Sequence, residues 1–93
     1  MIKLAITDDE ALFRKGMAIL IGEFDGMEVI FESGNGQELL QELASREVLP
    51  DVLLLDLNMP ELNGVETAKE LQKKYPQIGF IILSTYYTKE FIL

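Results

Sequence analysis

Apolar and polar residues alternate from Ile2 to Thr7, the two-residue period of a β-strand. The pattern breaks at Asp8-Asp9-Glu10, and a helical pattern follows from about Ala11 to Gly22. Leu12, Ile19 and Leu20 are its expected core face, Gly16 is expected to allow a close approach, and the acids at its start complement the helix dipole. Asp25-Gly26 reads as a turn, and Met27 to Glu32 as a second strand. After the loop Ser33-Gly34-Asn35-Gly36, the apolar positions Leu39, Leu40, Leu43 and Ala44 predict a second helix running to about Arg46.

Val52-Leu53-Leu54-Leu55 is a continuous apolar run, typical of a strand buried on both faces, and it ends at Asp56. Leu57 to Asn63 is a loop holding Met59-Pro60. A third helix is expected from about Gly64 to Tyr75, with Val65, Ala68, Leu71 and Tyr75 on one face and Pro76 stopping it. Ile78 to Leu83 reads as a fourth buried strand, Ser84 to Thr88 as a loop, and Lys89 to Leu93 as the start of another helix. Strands alternating with helices of crossover length predict an α/β fold, a doubly wound parallel sheet with helices on both faces.

Composition narrows the chemistry. The 93 residues suit one domain. A net charge of −8 argues against a nucleic-acid surface in this segment. With no Cys, disulfides, thiolate catalysis and Cys-ligated metal sites are excluded, and with no His, so are His triads and His-ligated zinc. No apolar run is long enough to span a membrane and the N-terminus lacks a signal-peptide pattern, so a cytoplasmic domain is expected.

In open α/β sheets, function gathers at the carboxyl ends of the strands. The first strand delivers Asp8 and Asp9 there, the third Asp56, the fourth Ser84 and Thr85. Each has a plain structural reading as well: an acid after a strand commonly caps a helix or forms a turn, and Ser84 and Thr85 suit a turn. Together they suggest a cluster. Two unit charges ~4 Å apart at an effective dielectric of ~20 repel by roughly 4 kcal/mol. Either one carboxyl takes up a proton or a hard divalent cation binds, and an all-oxygen site suits Mg²⁺ or Mn²⁺. A carboxylate beside such a cation can accept a phosphoryl group, and Asp56 is the best placed to do so.

The segment Leu4-Ala5-Ile6-Thr7-Asp8-Asp9-Glu10, the block from Asp51 through Asp56-Leu57-Asn58-Met59-Pro60 to Glu66, and Ile81-Ile82-Leu83-Ser84-Thr85 together resemble the response-regulator receiver domain of two-component signalling. Leu12-Phe13-Arg14-Lys15-Gly16 further resembles the NarL/FixJ-type transcription regulators. The resemblance implies a flavodoxin-like sheet of order 2-1-3-4. It makes Asp56 the phosphoacceptor, with Mg²⁺ held by Asp9, Asp56 and the backbone carbonyl of Asn58, and by Asp8 through a water. Ser84 becomes the switch hydroxyl, the amides of Leu57 and Thr85 become phosphoryl donors, and Gly64 permits the sharp entry to the third helix. Asn58 and Tyr86 fall where the family tunes dephosphorylation. The implied partner is a sensor histidine kinase, and the implied output is transcription through a DNA-binding domain not in this sequence. The domain itself is expected to be no enzyme beyond catalysing its own phosphorylation and dephosphorylation.

Three departures stand out. The family's fifth strand carries a Lys that pairs with the phosphate. A helix of ~11 residues and two loops of ~4 put it about twenty residues past Ser84, whereas the sequence stops at Leu93. Residues 1–93 are therefore expected to be a receiver domain incomplete at its C-terminus. Thr85 is larger than the Ala or Gly common in the family, and Tyr86-Tyr87 reads first as a pair of half-buried loop aromatics. Without a fifth strand, Ile78 to Leu83 has an open side, so a homodimer or strand exchange through Ile81 to Leu83 is expected. The alternative function is accordingly an unproductive receiver acting as an interaction module. A haloacid-dehalogenase-like phosphatase ranks lower, because it wants an acid where Asn58 stands.

Overall fold

The computed structural model describes residues 1–56 and 64–83, with the backbone alone for 64, 65 and 83. The elements run β1 (Ile2–Thr7), α1 (Ala11–Gly22), β2 (Met27–Ser33), α2 (Gly36–Ser45), β3 (Val52–Asp56), α3 (Gly64–Lys74) and β4 (Gly79–Leu83). The four strands are parallel in the order β2-β1-β3-β4, the expected flavodoxin-like arrangement. Among the described residues, no helix is long and apolar enough to cross a membrane.

Side chains alternate across the sheet, so each strand feeds two cores. Ala5, Leu53 and Leu55 face α2 and α3, where they meet Phe31, Leu39, Leu43, Ala68, Leu71 and Ile78. The Arg46 guanidinium closes the edge of this layer, 4.5 Å from the Phe31 ring centre. Leu4, Ile6 and Leu54 face α1 and meet Ile21, with Met17 and Ala18 packed against them. β3 sits centrally and contributes to both layers, as its unbroken apolar run predicts.

Local signals set the element ends. Gly26 takes a left-handed φ of 85° in the turn before β2, a conformation that glycine adopts at low cost. Asn35 caps α2, its Oδ1 accepting from the Glu38 N–H at 2.8 Å, while Glu38 Oε1 accepts from the Gly34 N–H at 2.8 Å. At the opposite end of the sheet Asp51 joins three strands. Its Oδ2 accepts from the Lys3 N–H, its own N–H donates to the Lys3 carbonyl, and its carbonyl accepts from the Gly79 N–H.

β1 and β2 are not in simple register. Leu4 pairs with Val29 and Ala5 with Phe31, so Ile30 is an extra residue, a bulge in β2. Beyond the bulge the alternation of β2 is reset. Glu32 comes to lie beside Ile6 and Ser33 beside Thr7.

Several expectations are corrected. In α1, Leu12, Ile19 and Leu20 point outward, 88%, 68% and 53% exposed, and the inward face is Arg14, Met17, Ala18 and Ile21. Met17 to Ile21 is apolar throughout, more than a full turn, so helical periodicity alone selects no stripe there. Gly16 makes no close approach, since nothing lies within 4 Å of where its Cβ would be. The acids precede α1 rather than entering its first turn. In α2, Ala44 is exposed while Leu39 and Leu43 are buried. β4 is not fully buried: it lies at the rim of the described sheet, with Ile81 53% and Ile82 43% exposed. Val65 lies outside the described side chains, whereas Ala68 and Leu71 are buried in α3 as expected.

Candidate functional site

The parallel pairing of β1 with β3 builds the site. Thr7 lies beside Leu55, so Asp8 and Asp56 leave the sheet next to each other at its carboxyl edge. Asp9 follows at the start of the β1–α1 loop. One carboxylate oxygen from each of Asp8, Asp9 and Asp56 lies within 4.8 Å of the others. Asp8 and Asp56 are buried and Asp9 is exposed, so the cluster has one open side.

The floor of the site is well held. The Asp8 N–H donates to the Ser33 carbonyl at 3.1 Å, and the hydroxyls of Thr7 and Ser33 share a buried hydrogen bond of 2.7 Å. Asp8 Oδ1 accepts from the Glu10 N–H at 2.8 Å. The turn-forming reading of Asp8 is therefore true of one of its oxygens, and it coexists with membership of the cluster. Burial raises the Asp8 carboxyl above its ordinary value, the bond from Glu10 opposes this, and the charges of Asp56, Asp9 and Glu10 raise it further. The electrostatic stress expected from sequence is thus visible at Asp8.

The donor set is chemically suited to a hard divalent cation. It is all oxygen, anionic, convergent and open on one side. A cation there would offset the repulsion among the three carboxylates, which adds to burial in favouring the protonated form of Asp8.

Sequence reading missed one residue that the structure brings to the site. Arg14 of α1 donates through Nη1 to the Asp8 carbonyl at 2.6 Å and through Nε to Glu32 Oε1 at 3.2 Å. Its side chain is only 17% exposed. An arginine five positions past Asp9 carries no local signal of this contact, because it depends on how α1 crosses β2. Ser84, Thr85, Leu57, Asn58 and Tyr86 lie outside the described residues. The register does place Leu83, which precedes Ser84, beside Asp56.

Comparison with known proteins follows the same lines. The family described as the response regulator receiver domain matches residues 4–93. The chain is 33% identical over 91 residues to the uncharacterized transcriptional regulatory protein YhcZ of Bacillus subtilis, covering 98% of this chain and 42% of that protein. It is 37% identical over 86 residues to the transcriptional regulatory protein LnrK of the same organism, covering 92% of this chain and 38% of that one. The chain thus spans about two fifths of the length of these curated relatives. Its structure matches the response regulator domain of Thermotoga maritima CheB with a TM-score of 0.83 at 30% identity, covering 99% of this chain and 71% of that one. RcsB of Salmonella enterica serovar Typhimurium, solved bound to a promoter, shares the fold with a TM-score of 0.81 at 22% identity, covering 90% of this chain and 43% of that chain.

Proposed function

The chain belongs to the response regulator receiver domain family, and from that premise we propose that it is a phosphoacceptor domain in which Asp56 takes a phosphoryl group from a sensor histidine kinase. The observation that carries this reading is the convergence of Asp8, Asp9 and Asp56 at the carboxyl edge of the sheet.

An Asp56 carboxylate oxygen attacks the phosphorus of a phosphohistidine in line. The new P–O bond makes an acyl phosphate as the P–N bond breaks, and the imidazole leaves with the electron pair. Asp9, Asp56 and the Asn58 carbonyl would hold Mg²⁺ or Mn²⁺, with Asp8 acting through a water. When bound, that cation neutralises charge on the transferred phosphoryl oxygens. Asp56 is buried at the end of β3, which lies between β1 and β4. Ser84 would donate its hydroxyl and Thr85 its backbone N–H to the phosphoryl group, and Ser84 would pass its arrival to the following loop. The domain catalyses only its own phosphorylation and dephosphorylation. The output is transcription, through a DNA-binding domain outside this sequence.

The test is labelling with acetyl phosphate, or occupancy by beryllofluoride, in the presence of Mg²⁺. Wild type is expected to be modified and Asp56→Asn to be inert. Asp9→Asn is expected to weaken Mg²⁺ binding about tenfold or more. A second reading, an unproductive receiver that associates through its sheet edge, draws on the exposure of Ile81 and Ile82 in β4. Failure of the wild type to label, with a dimer in sedimentation that Ile81→Lys disperses, would favour it.

A further inference from the structure

We propose that Arg14, seated on Glu32, is a positioning residue that fixes the Asp8–Asp9 peptide so that both carboxylates converge on Asp56; this rests on the reading of the cluster as a cation-assisted phosphoacceptor site. The carbonyl that Arg14 grips belongs to the peptide joining Asp8 to Asp9. The rotation of that peptide sets the direction in which the Asp9 side chain leaves the backbone. Asp8 is anchored on its other side, by its N–H to the Ser33 carbonyl and by its Oδ1 to the Glu10 N–H. Arg14 supplies the anchor between these two, at 2.6 Å.

The anchor is itself held. Nε of the same guanidinium donates to Glu32 Oε1, and the two side chains are 17% and 26% exposed. A planar guanidinium offers two donors in fixed directions, which a lysine ammonium on a flexible stem does not reproduce. Glu32 reaches this position because the Ile30 bulge turns it to the α1 face of the sheet, beside Ile6. The bulge, the ion pair and the carbonyl contact thus form one connected support from the β2 edge to the carboxylate cluster. Supporting residues of this kind typically change metal affinity 10–100-fold when removed.

Charge and positioning make opposite predictions. Arg14 is a cation close to the acidic cluster. If it acted by charge alone, removing it would tighten Mg²⁺ binding; if it positions the Asp8–Asp9 peptide, removing it weakens binding. The experiment is Mg²⁺ titration by NMR and calorimetry on wild type, Arg14→Ala, Arg14→Lys and Glu32→Gln, each shown by circular dichroism to be folded. The exchange rate of the Glu10 amide is measured alongside, with the Leu54 amide as a marker of global stability. Arg14→Ala is expected to weaken Mg²⁺ binding about tenfold and to speed Glu10 exchange, leaving Leu54 protected. Arg14→Lys, which keeps the charge, is expected to lose most of the same affinity. Glu32→Gln keeps an oxygen for Nε and is expected to stay within about twofold of wild type. Unchanged or tighter Mg²⁺ binding in both Arg14 variants, with Glu10 exchange unaltered, would overturn the proposal. If wild type itself binds no Mg²⁺, the reading of the site fails. Glu10 exchange then decides the role of Arg14 alone: faster in the variants upholds it, equal rejects it. Should Arg14→Ala not fold, Arg14→Lys carries both measurements.

Discussion

Among the described residues, the two faces of the sheet are covered unequally. Against α2 and α3, nine buried apolar residues among those described, from β1, β2, β3, both helices and Ile78 just before β4, close into one layer, with Leu39, Leu53 and Leu55 fully enclosed. Against α1 the buried set among the described residues is four, and much of the helix's own apolar surface faces outward at Leu12, Ile19 and Leu20. Apolar content therefore does not predict burial in this chain. α2 and α3 each present one narrow apolar stripe, which the sheet takes up. α1 is apolar over most of its circumference, and among the described residues only the part that touches the sheet is buried. The α1 face also carries the Arg14–Glu32 pair and the support of Asp8.

The sharpest way to test this contrast is truncation in each layer. Leu53→Ala opens a cavity in the larger core and is expected to cost about 3–4 kcal/mol, whereas Ile21→Ala in the smaller core costs about 2 kcal/mol. Urea denaturation of both variants checks the order, and equal losses would mean that the two layers are equivalent.

The larger core contains one internal flaw. The Thr67 hydroxyl is fully buried and, among the described residues, has no hydrogen-bond partner. Thr67→Val keeps the shape and removes the orphaned polar group, so it is expected to stabilise by about 1 kcal/mol. Thermal melting reads this as a rise of about 4–8 °C, and a fall would reveal a bond that the hydroxyl makes.

At the site edge of the α1 layer, burial first and the neighbouring acids second disfavour the charged form of Asp8. The folded Asp8 carboxyl is raised above its ordinary value, so the folded state holds this proton more tightly than the unfolded chain does. Its contribution to stability is fully present below the ordinary value and is lost as pH rises through the raised one. Asp8→Asn can keep the acceptor for the Glu10 N–H without the charge. In the absence of divalent cation it is expected to melt above wild type at pH 7, with the gap closing towards pH 4. A gap that widens in acid would reverse the assignment.

The smallest effect is expected on the outer face of α1. Ile19→Ser replaces a side chain that is 68% exposed and is expected to change stability by no more than about 0.5 kcal/mol. A loss comparable to that of Ile21→Ala would show that this face is covered in solution.

Much of this protein is legible in its sequence. β1 and α1 begin and end where alternation and helical spacing place them, and β3 is central because Val52 to Leu55 offers apolar side chains to both faces. The carboxylate cluster follows from the same reading. A parallel sheet that sets β1 beside β3 must bring the residues after Thr7 and Leu55 together. What sequence leaves open are choices that depend on a partner element. Which stripe of α1 faces inward is decided by contact with Leu4, Ile6 and Leu54, because Met17 to Ile21 satisfies several stripes equally. The Ile30 bulge is decided by the hydrogen-bond register between two strands more than twenty residues apart, which no local pattern encodes. Only that register turns Glu32 towards α1, and only the crossing of α1 over β2 brings Arg14 between Glu32 and the Asp8 carbonyl. Periodicity is a property of one segment, so it fixes the elements and the strand ends. The support of the site is a property of three segments at once, and it exists only when they are packed.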